Sequence, residues 1–190
     1  MPGPQLTSFE HVLLGLICLS PASGYDLKRM FAATPMGLYQ PSSGALYPAL
    51  RRLEARDLIR VTDPPAANGS PRRRRVYEPT AGGRETHLTW LRTPVEPGSA
   101  ARDLGLHLMR FVMMEPVLAR AEVLAFLADL EHALAVLTAD LERYAAGPPP
   151  GGLHPGLALD HGLAVHRASL DWVQRAIAAL REEPATTVGS

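Results

Sequence analysis

Pro41-Ser42-Ser43-Gly44-Ala45-Leu46-Tyr47-Pro48-Ala49-Leu50-Arg51-Arg52-Leu53-Glu54-Ala55-Arg56-Asp57-Leu58-Ile59-Arg60 reads as a capped helix followed directly by a strand. At 100° per residue, Leu46, Ala49, Leu50 and Leu53 share one side, and Gly44, Tyr47, Pro48 and Arg51 share the other. Ser42 or Ser43 is the expected N-cap. Pro48 is unusual, because a proline inside a helix clashes with the carbonyl four residues back. Here that residue is Gly44, which can adjust. A face with little bulk, one phenol and an arginine can enter a major groove and reach phosphates and base edges. An ordinary amphipathic surface helix reads the same way, so the flanking sequence has to decide.

Upstream, Phe9, Val12, Leu13, Leu16 and Ile17 follow the spacing of a core-facing helix, which Ser20-Pro21-Ala22-Ser23-Gly24 interrupts. Ser23 then caps a second helix, with Asp26 at its N3 position and with Tyr25, Leu27, Met30 and Phe31 along it. That helix ends before Thr34-Pro35-Met36-Gly37. Three short helices joined by tight turns make a helix-turn-helix arrangement.

Downstream lie two strand candidates, 58–62 and 74–78, joined by a long segment that contains Asn68-Gly69. This predicts a hairpin with an exposed tip. Arg72, Arg73, Arg74 and Arg75 stand where the tip returns to the strand. Four adjacent like charges do not fold onto a core. A wing that grips DNA phosphates beside the groove-bound helix explains them better than mere solubility does. The expected DNA-facing set is Ser42, Ser43, Gly44, Tyr47 and Arg51, with Arg72 to Arg75 on the wing. Thr80 then caps a fourth helix that runs to about Leu91 and includes Trp90.

Thr93-Pro94-Val95-Glu96-Pro97-Gly98-Ser99 marks a domain boundary. Beyond it a helix is expected over 102–114, and a long one from Pro116. Val123, Leu127, Leu130, Leu134, Leu137, Leu141 and Tyr144 alternate spacings of four and three, until Gly147-Pro148-Pro149-Pro150-Gly151 stops the run. Leu159, Leu163, His166, Leu170, Val173, Ile177 and Leu180 repeat the pattern. Such stripes specify helices that pack lengthwise, on each other, on a second subunit, or both. His166 is the polar residue in the second stripe; it is either a core histidine bonded by a neighbour or a residue that fixes helix register.

The predicted architecture is mainly α with a small β-hairpin wing. A winged helix-turn-helix domain (8–92) and a linker (93–101) precede a helical dimerisation domain (102–183) and a tail (184–190). The whole chain has 190 residues, 46% of them hydrophobic, and a formal net charge of zero. That balance hides a polarity. Up to Arg92 there are twelve basic and seven acidic residues, and the remainder reverses those numbers. Only the first part is suited to a polyanion.

No apolar run reaches membrane-spanning length, and Met1 to Thr7 lacks a basic signal-peptide start, so a cytoplasmic protein is expected. Cys18, alone and among apolar residues, is a buried thiol rather than a nucleophile. The chain lacks the glycine-rich, Walker, nucleophile-elbow and His-Glu-x-x-His motifs of common enzymes. His161 and His166 are five residues apart, roughly 140° around a helix, and cannot chelate one metal. No enzyme activity, cofactor or metal is expected. A DNA-architectural protein or an adaptor are the competing readings, but an adaptor needs neither the groove-shaped helix nor the arginine wing.

Several separated runs together resemble the PadR family of winged-helix transcriptional regulators. They are Leu13-Leu14-Gly15-Leu16, Pro21-Ala22-Ser23-Gly24-Tyr25-Asp26-Leu27, Ser43-Gly44-Ala45-Leu46-Tyr47-Pro48-Ala49-Leu50-Arg51-Arg52-Leu53-Glu54, Leu58-Ile59, Arg74-Arg75-Val76-Tyr77 and Thr80-Ala81-Gly82-Gly83-Arg84-Glu85. The chain has Pro71-Arg72-Arg73 where the family usually has Gly-Arg-Pro, and Ala81 where an acid commonly follows the threonine. The resemblance implies a homodimeric, usually repressing, operator-binding protein, often released by a small aromatic or cationic ligand. Trp90, Met109, Met113 and Trp172 are the expected ligand-binding residues. Tryptophan offers a flat face and methionine adapts to irregular shapes, although core packing explains the same residues.

Overall fold

The computed structural model describes residues 5–33, 43–62, 75–115, 117–147 and 151–182, the side chains of Ser43 and Ala101 excepted. The chain forms two compact units, Met1–Thr93 with Leu108–Val117, and Pro94–His107 with Leu118–Ser190.

The first unit contains α1 (Ser8–Leu19), β1 (Ala22–Ser23), α2 (Gly24–Ala33), α3 (Ser43–Ala55), β2 (Ile59–Thr62), β3 (Val76–Pro79) and α4 (Ala81–Leu91). A reciprocal cap starts α1: the Glu10 N–H donates to Thr7 Oγ1 at 3.2 Å, and the Glu10 carboxylate accepts from the Thr7 N–H at 2.8 Å. Ser23 and Asp26 repeat the device at α2, as the sequence predicts. Thr80 caps α4 by accepting from the Gly83 N–H at 3.0 Å. The apolar side of α3, formed by Leu46, Ala49, Leu50 and Leu53, is fully buried with Leu27 and Phe31 of α2.

α1 is buried more widely than its predicted stripe, because α3, α4 and β3 all pack on it. Leu14 and Gly15 are therefore interior as well. Two glycines permit this closeness. A Cβ at Gly15 would meet Met113 Sδ at 2.5 Å and His87 Cε1 at 2.8 Å, and one at Gly83 would overlap the Leu58 carbonyl oxygen.

The sheet is antiparallel in the order β1-β3-β2. Tyr77 lies opposite both Ala22 and Val61, and Val76 opposite both Ser23 and Thr62. The hairpin is the predicted one, with shorter strands: β2 starts at Ile59 because the Leu58 N–H is used to close α3, donating to the Leu53 carbonyl at 3.0 Å. In that closure Asp57 adopts φ 53°, the left-handed conformation usual just past a helix end. β1, only two residues long, has no sequence signature. The hairpin tip, 63–74, lies outside the described residues.

The second unit is built on an antiparallel helix pair, α7 (Arg120–Ala145) and α8 (Leu153–Glu182), with α5 (Ser99–Arg102) packed on α7. α6 (Leu104–Met114) starts in this unit and ends in the first. Where one helix is expected over 102–114, α5 and α6 are separated at Asp103, whose φ and ψ of −122° and 23° are not helical. The long helix begins at Arg120 rather than at Pro116, which lies outside the described residues; the Glu122 carboxylate caps it by accepting from the Ala119 N–H at 3.0 Å.

The stripes of α7 and α8 face each other within one chain. Val123, Leu127, Leu130 and Leu134 are buried with Leu163, Val173 and Ile177. Arg167 pairs with Glu142 at 2.7 Å, and the Gln174 amide donates to Glu131 at 3.1 Å. Phe126 and Ala133 join the buried face, which is wider than a two-helix seam because α5 also covers α7. Tyr144, at the end of the run, is exposed. His166 is half-buried, with its Nδ1 sealed from solvent and unbonded among the described residues.

Candidate nucleic-acid interface

α3 turns its uncovered side outward. Gly44, Ala45 and Arg51 are exposed, Tyr47 is 44% exposed, and Pro48 is half-buried. The helix accommodates Pro48 with Gly44 one turn earlier. Tyr47 is positioned by a missing side chain, since a Cβ on Gly24 would stand 2.7 Å from Tyr47 Cε1. The phenol ring thus sits close to the start of α2.

Ser42, Arg72, Arg73 and Arg74 lie outside the described residues, and Ser43 opens α3. Arg75 is described, and its role is divided. Its Nη2 donates to both oxygens of Glu54, at 2.8 and 3.1 Å, and its guanidinium lies 5.8 Å from the Tyr77 ring centroid. The wing strand is thereby tied to the exposed helix. Arg51 makes no ion pair among the described residues. Arg60 pairs with Glu78 at 2.5 Å, and Arg52 with Glu10 at 2.6 Å.

Glu10 is only 1% exposed. Burial pushes its pKa up, but the hydrogen bonds from Thr7 and Arg52 outweigh burial and hold it below the usual value. Arg52 is therefore a structural cation, although it neighbours Arg51 in sequence.

Ser23, Gly24, Tyr25, Tyr47, Arg51, Arg75 and Tyr77 line a groove of about 320 Å³ between α2, α3 and β3. Sequence reading missed Gly24, Tyr25, Glu54 and Tyr77 as members of this face. Tyr77 shows no signal, because a tyrosine in a short strand reads as core.

The residues expected to hold a ligand divide between the units. Trp90 and Met113 meet a polar cluster in the first. The His11 ring stacks on Trp90 with centroids 4.9 Å apart, His87 approaches it at 6.0 Å, and the Arg110 guanidinium lies 5.7 Å from its centroid. Arg110 also donates to the carbonyls of Leu91 (3.0 Å) and Thr93. Met109 and Met113 are buried. Trp172 belongs to α8 of the second unit.

His87 is 2% exposed, and neither ring nitrogen has a hydrogen-bond partner among the described residues. Burial, and then the neighbouring His11, push its pKa down to about 4. Burial brings His11 to about 4 as well, with Glu10 acting against the shift and Arg110 with it. Cys18 is half-buried rather than buried, and its surroundings raise the thiol to about 11, away from the thiolate form. Among the described residues there is no cluster of three or more metal-ligating side chains, and no helix is long and apolar enough to cross a membrane.

Residues 13–88 match the family described as the transcriptional regulator PadR-like family, and residues 103–181 match the virulence activator alpha C-terminal family. A relative from Mycobacterium tuberculosis (strain ATCC 25618 / H37Rv), the probable transcriptional regulator Rv1176c, is 24% identical over 189 residues, covering 93% of this chain and 99% of the relative. Solved structures with similarity include Bacillus subtilis PadR in complex with operator DNA, 19% identical, covering 92% of this chain and 99% of that one with a TM-score of 0.44. Another is the Vibrio cholerae virulence activator AphA, 21% identical, covering 91% and 98% with a TM-score of 0.37. Residues 13–88 are thus similar to the PadR-like transcriptional regulators, and residues 103–181 to the virulence activator alpha C-terminal region.

Proposed function

We infer that the protein is a cytoplasmic repressor that binds an operator as a homodimer and is released by a small aromatic or cationic ligand. The observation that carries the DNA reading is the outward face of α3, where Tyr47 and Arg51 stand on a helix braced by buried leucines and joined to the wing strand through Glu54 and Arg75. In this reading residues 8–92 read DNA. Ser42, Ser43, Gly44, Tyr47 and Arg51 meet the groove, and Arg72 to Arg75 hold phosphates beside it. Residues 93–101 link this region to 102–183, which dimerise, and 184–190 form a tail.

The long helices supply the dimer contact through what their intrachain seam leaves uncovered; Val136, Val165 and Leu157 are exposed. A dimer sets two α3 helices about 34 Å apart, or a multiple of that, to meet successive major grooves. Trp90, Met109 and Met113 are the ligand-facing set of the first unit, and Trp172 is a second, separate candidate in the other. A ligand releases DNA only if it binds the DNA-incompetent arrangement more tightly.

Footprinting on the DNA flanking the protein's own gene, with sedimentation of the same sample, tests this reading. Two protected half-sites at one-turn spacing and a dimeric mass support it. A monomer that protects unrelated DNA equally well contradicts it. A screen of planar aromatic and cationic compounds by tryptophan quenching, followed by operator release, tests the ligand. Quenching without release rejects the regulatory role.

A further inference from the structure

The groove at the start of α2 contains a feature that an exposed reading face does not require. Tyr77 is only 5% exposed, yet its hydroxyl has no hydrogen-bond partner among the described residues. The ring is interior, while the hydroxyl keeps its bonding capacity for whatever occupies the groove. Its oxygen is not sealed from solvent, and Tyr77 meets solvent along this groove.

Two cations border the same space. Arg51 has no ion-pair partner among the described residues, and Arg75 holds Glu54 at 2.8 Å. Tyr47 and Tyr25 supply aromatic rings at the rim, and Gly24 leaves room for the Tyr47 ring beside α2. Asp26, the nearby acid, is engaged with Ser23, accepting from its hydroxyl at 2.6 Å.

We propose that this groove is a seat for one backbone phosphate of duplex DNA, with the Tyr77 hydroxyl as its inner donor, Arg51 and Arg75 as its cations, and the phosphate competing with Glu54 for Arg75. The seat rests on the DNA-reading role inferred above and adds to it a sequence-independent anchor. A phosphodiester fits the donors: it is a singly charged acceptor with two free oxygens, able to take one phenol and two guanidinium groups at once. The sugars on either side are apolar enough to lie against the tyrosine rings. The groove is continuous with the exposed face of α3, so a strand whose bases meet Tyr47 passes over it. Glu54 then tempers binding, because Arg75 leaves a carboxylate to reach the phosphate.

The test is fluorescence anisotropy of the full chain with a random-sequence duplex over a range of salt, which needs no knowledge of the operator. Tyr77→Phe keeps the ring and its packing, and thermal melting checks that the fold is intact. It is expected to weaken binding about tenfold, as loss of a hydrogen bond to a charged group does, with the salt slope unchanged. Arg51→Gln is expected to weaken binding and to make the slope shallower by about one. Glu54→Gln is expected to tighten binding severalfold, a gain that misfolding cannot mimic, and to lose that effect in an Arg75→Gln background.

Tyr77→Phe binding the duplex as tightly as the unaltered protein overturns the seat. A Glu54→Gln gain that persists without Arg75 overturns the competition. Failure of the unaltered protein to bind any duplex at low salt overturns the DNA reading, and the seat with it.

Discussion

The two units use charge and close packing differently. In the first, ion pairs join elements far apart in the chain. Arg52 of α3 reaches the buried Glu10 of α1, and Arg75 at the wing reaches Glu54 of α3. A backbone carbonyl leaves no room for a Cβ at Gly83, and the Met113 and His87 side chains crowd the space at Gly15. In the second, ion pairs lie along one helix, as in Arg143–Asp140 and Arg175–Asp171, or run between the paired helices, as in Arg167–Glu142. Gly156 and Gly162 of α8 face open space. The first unit is a fixed frame in which small changes of shape are costly. The second is a long apolar seam whose surface is tolerant.

Paired substitutions make that contrast measurable. The largest effect is expected for Gly83→Ala, whose methyl has no space beside the Leu58 carbonyl. It should cost about 3 kcal/mol by urea denaturation. Gly162→Ala, in open space within α8, should instead stabilise by up to about 1 kcal/mol. Similar effects at both sites would remove the contrast.

Acid should act on the first unit before the second. His11 and His87 have folded pKa values lowered to about 4 from an ordinary 6.5. The unfolded chain therefore binds more protons in that range. Their contribution is fully present above about pH 6.5 and is lost as pH falls toward 4. His87→Phe should flatten the pH dependence by about 2 kcal/mol between pH 7 and 4, followed by circular dichroism. An unchanged acid limb would show that the folded imidazole is not held below its ordinary pKa.

Arg52→Ala should cost about 2 kcal/mol, because it strands a buried carboxylate. Arg175→Ala, on an exposed helix face, should cost less than about 0.5 kcal/mol by the same measurement. His166→Leu is expected to act in the opposite direction. Removing an unbonded buried nitrogen should raise stability by about 1 kcal/mol. Mixed oligomers in the mutant would give His166 a register role, and a single oligomeric state would leave only the packing penalty.

How far each region is legible in sequence follows from the same contrast. Helix spans and their apolar stripes come from local periodicity, which Leu127, Leu130 and Leu134 display without reference to anything distant; that the two stripes meet within one chain does not. The capped starts at Ser23 and Thr80 are local too. By contrast, β1 exists only because β3 pairs with it, and the second buried side of α1 only because α4 lies against Leu14 and Gly15. Glu10 reads as an exposed first-turn acid until Arg52 is seen beside it. On the outward side of α3, the exposure of Tyr47 and Arg51 was readable from the helical angle. Tyr77 and Glu54 were not, since their part depends on how β3 crosses α3.

The central claim is that the exposed side of α3 distinguishes one DNA sequence from another. The most direct measurement is the ratio of affinities for the DNA flanking the protein's own gene and for unrelated DNA, taken for the unaltered chain, Tyr47→Ala and Arg51→Ala. Loss of direct base contacts should reduce that discrimination by about 1–3 kcal/mol while unrelated DNA binds nearly as before. If the unaltered chain prefers its flanking DNA and both variants keep the full preference, α3 is not the reading element.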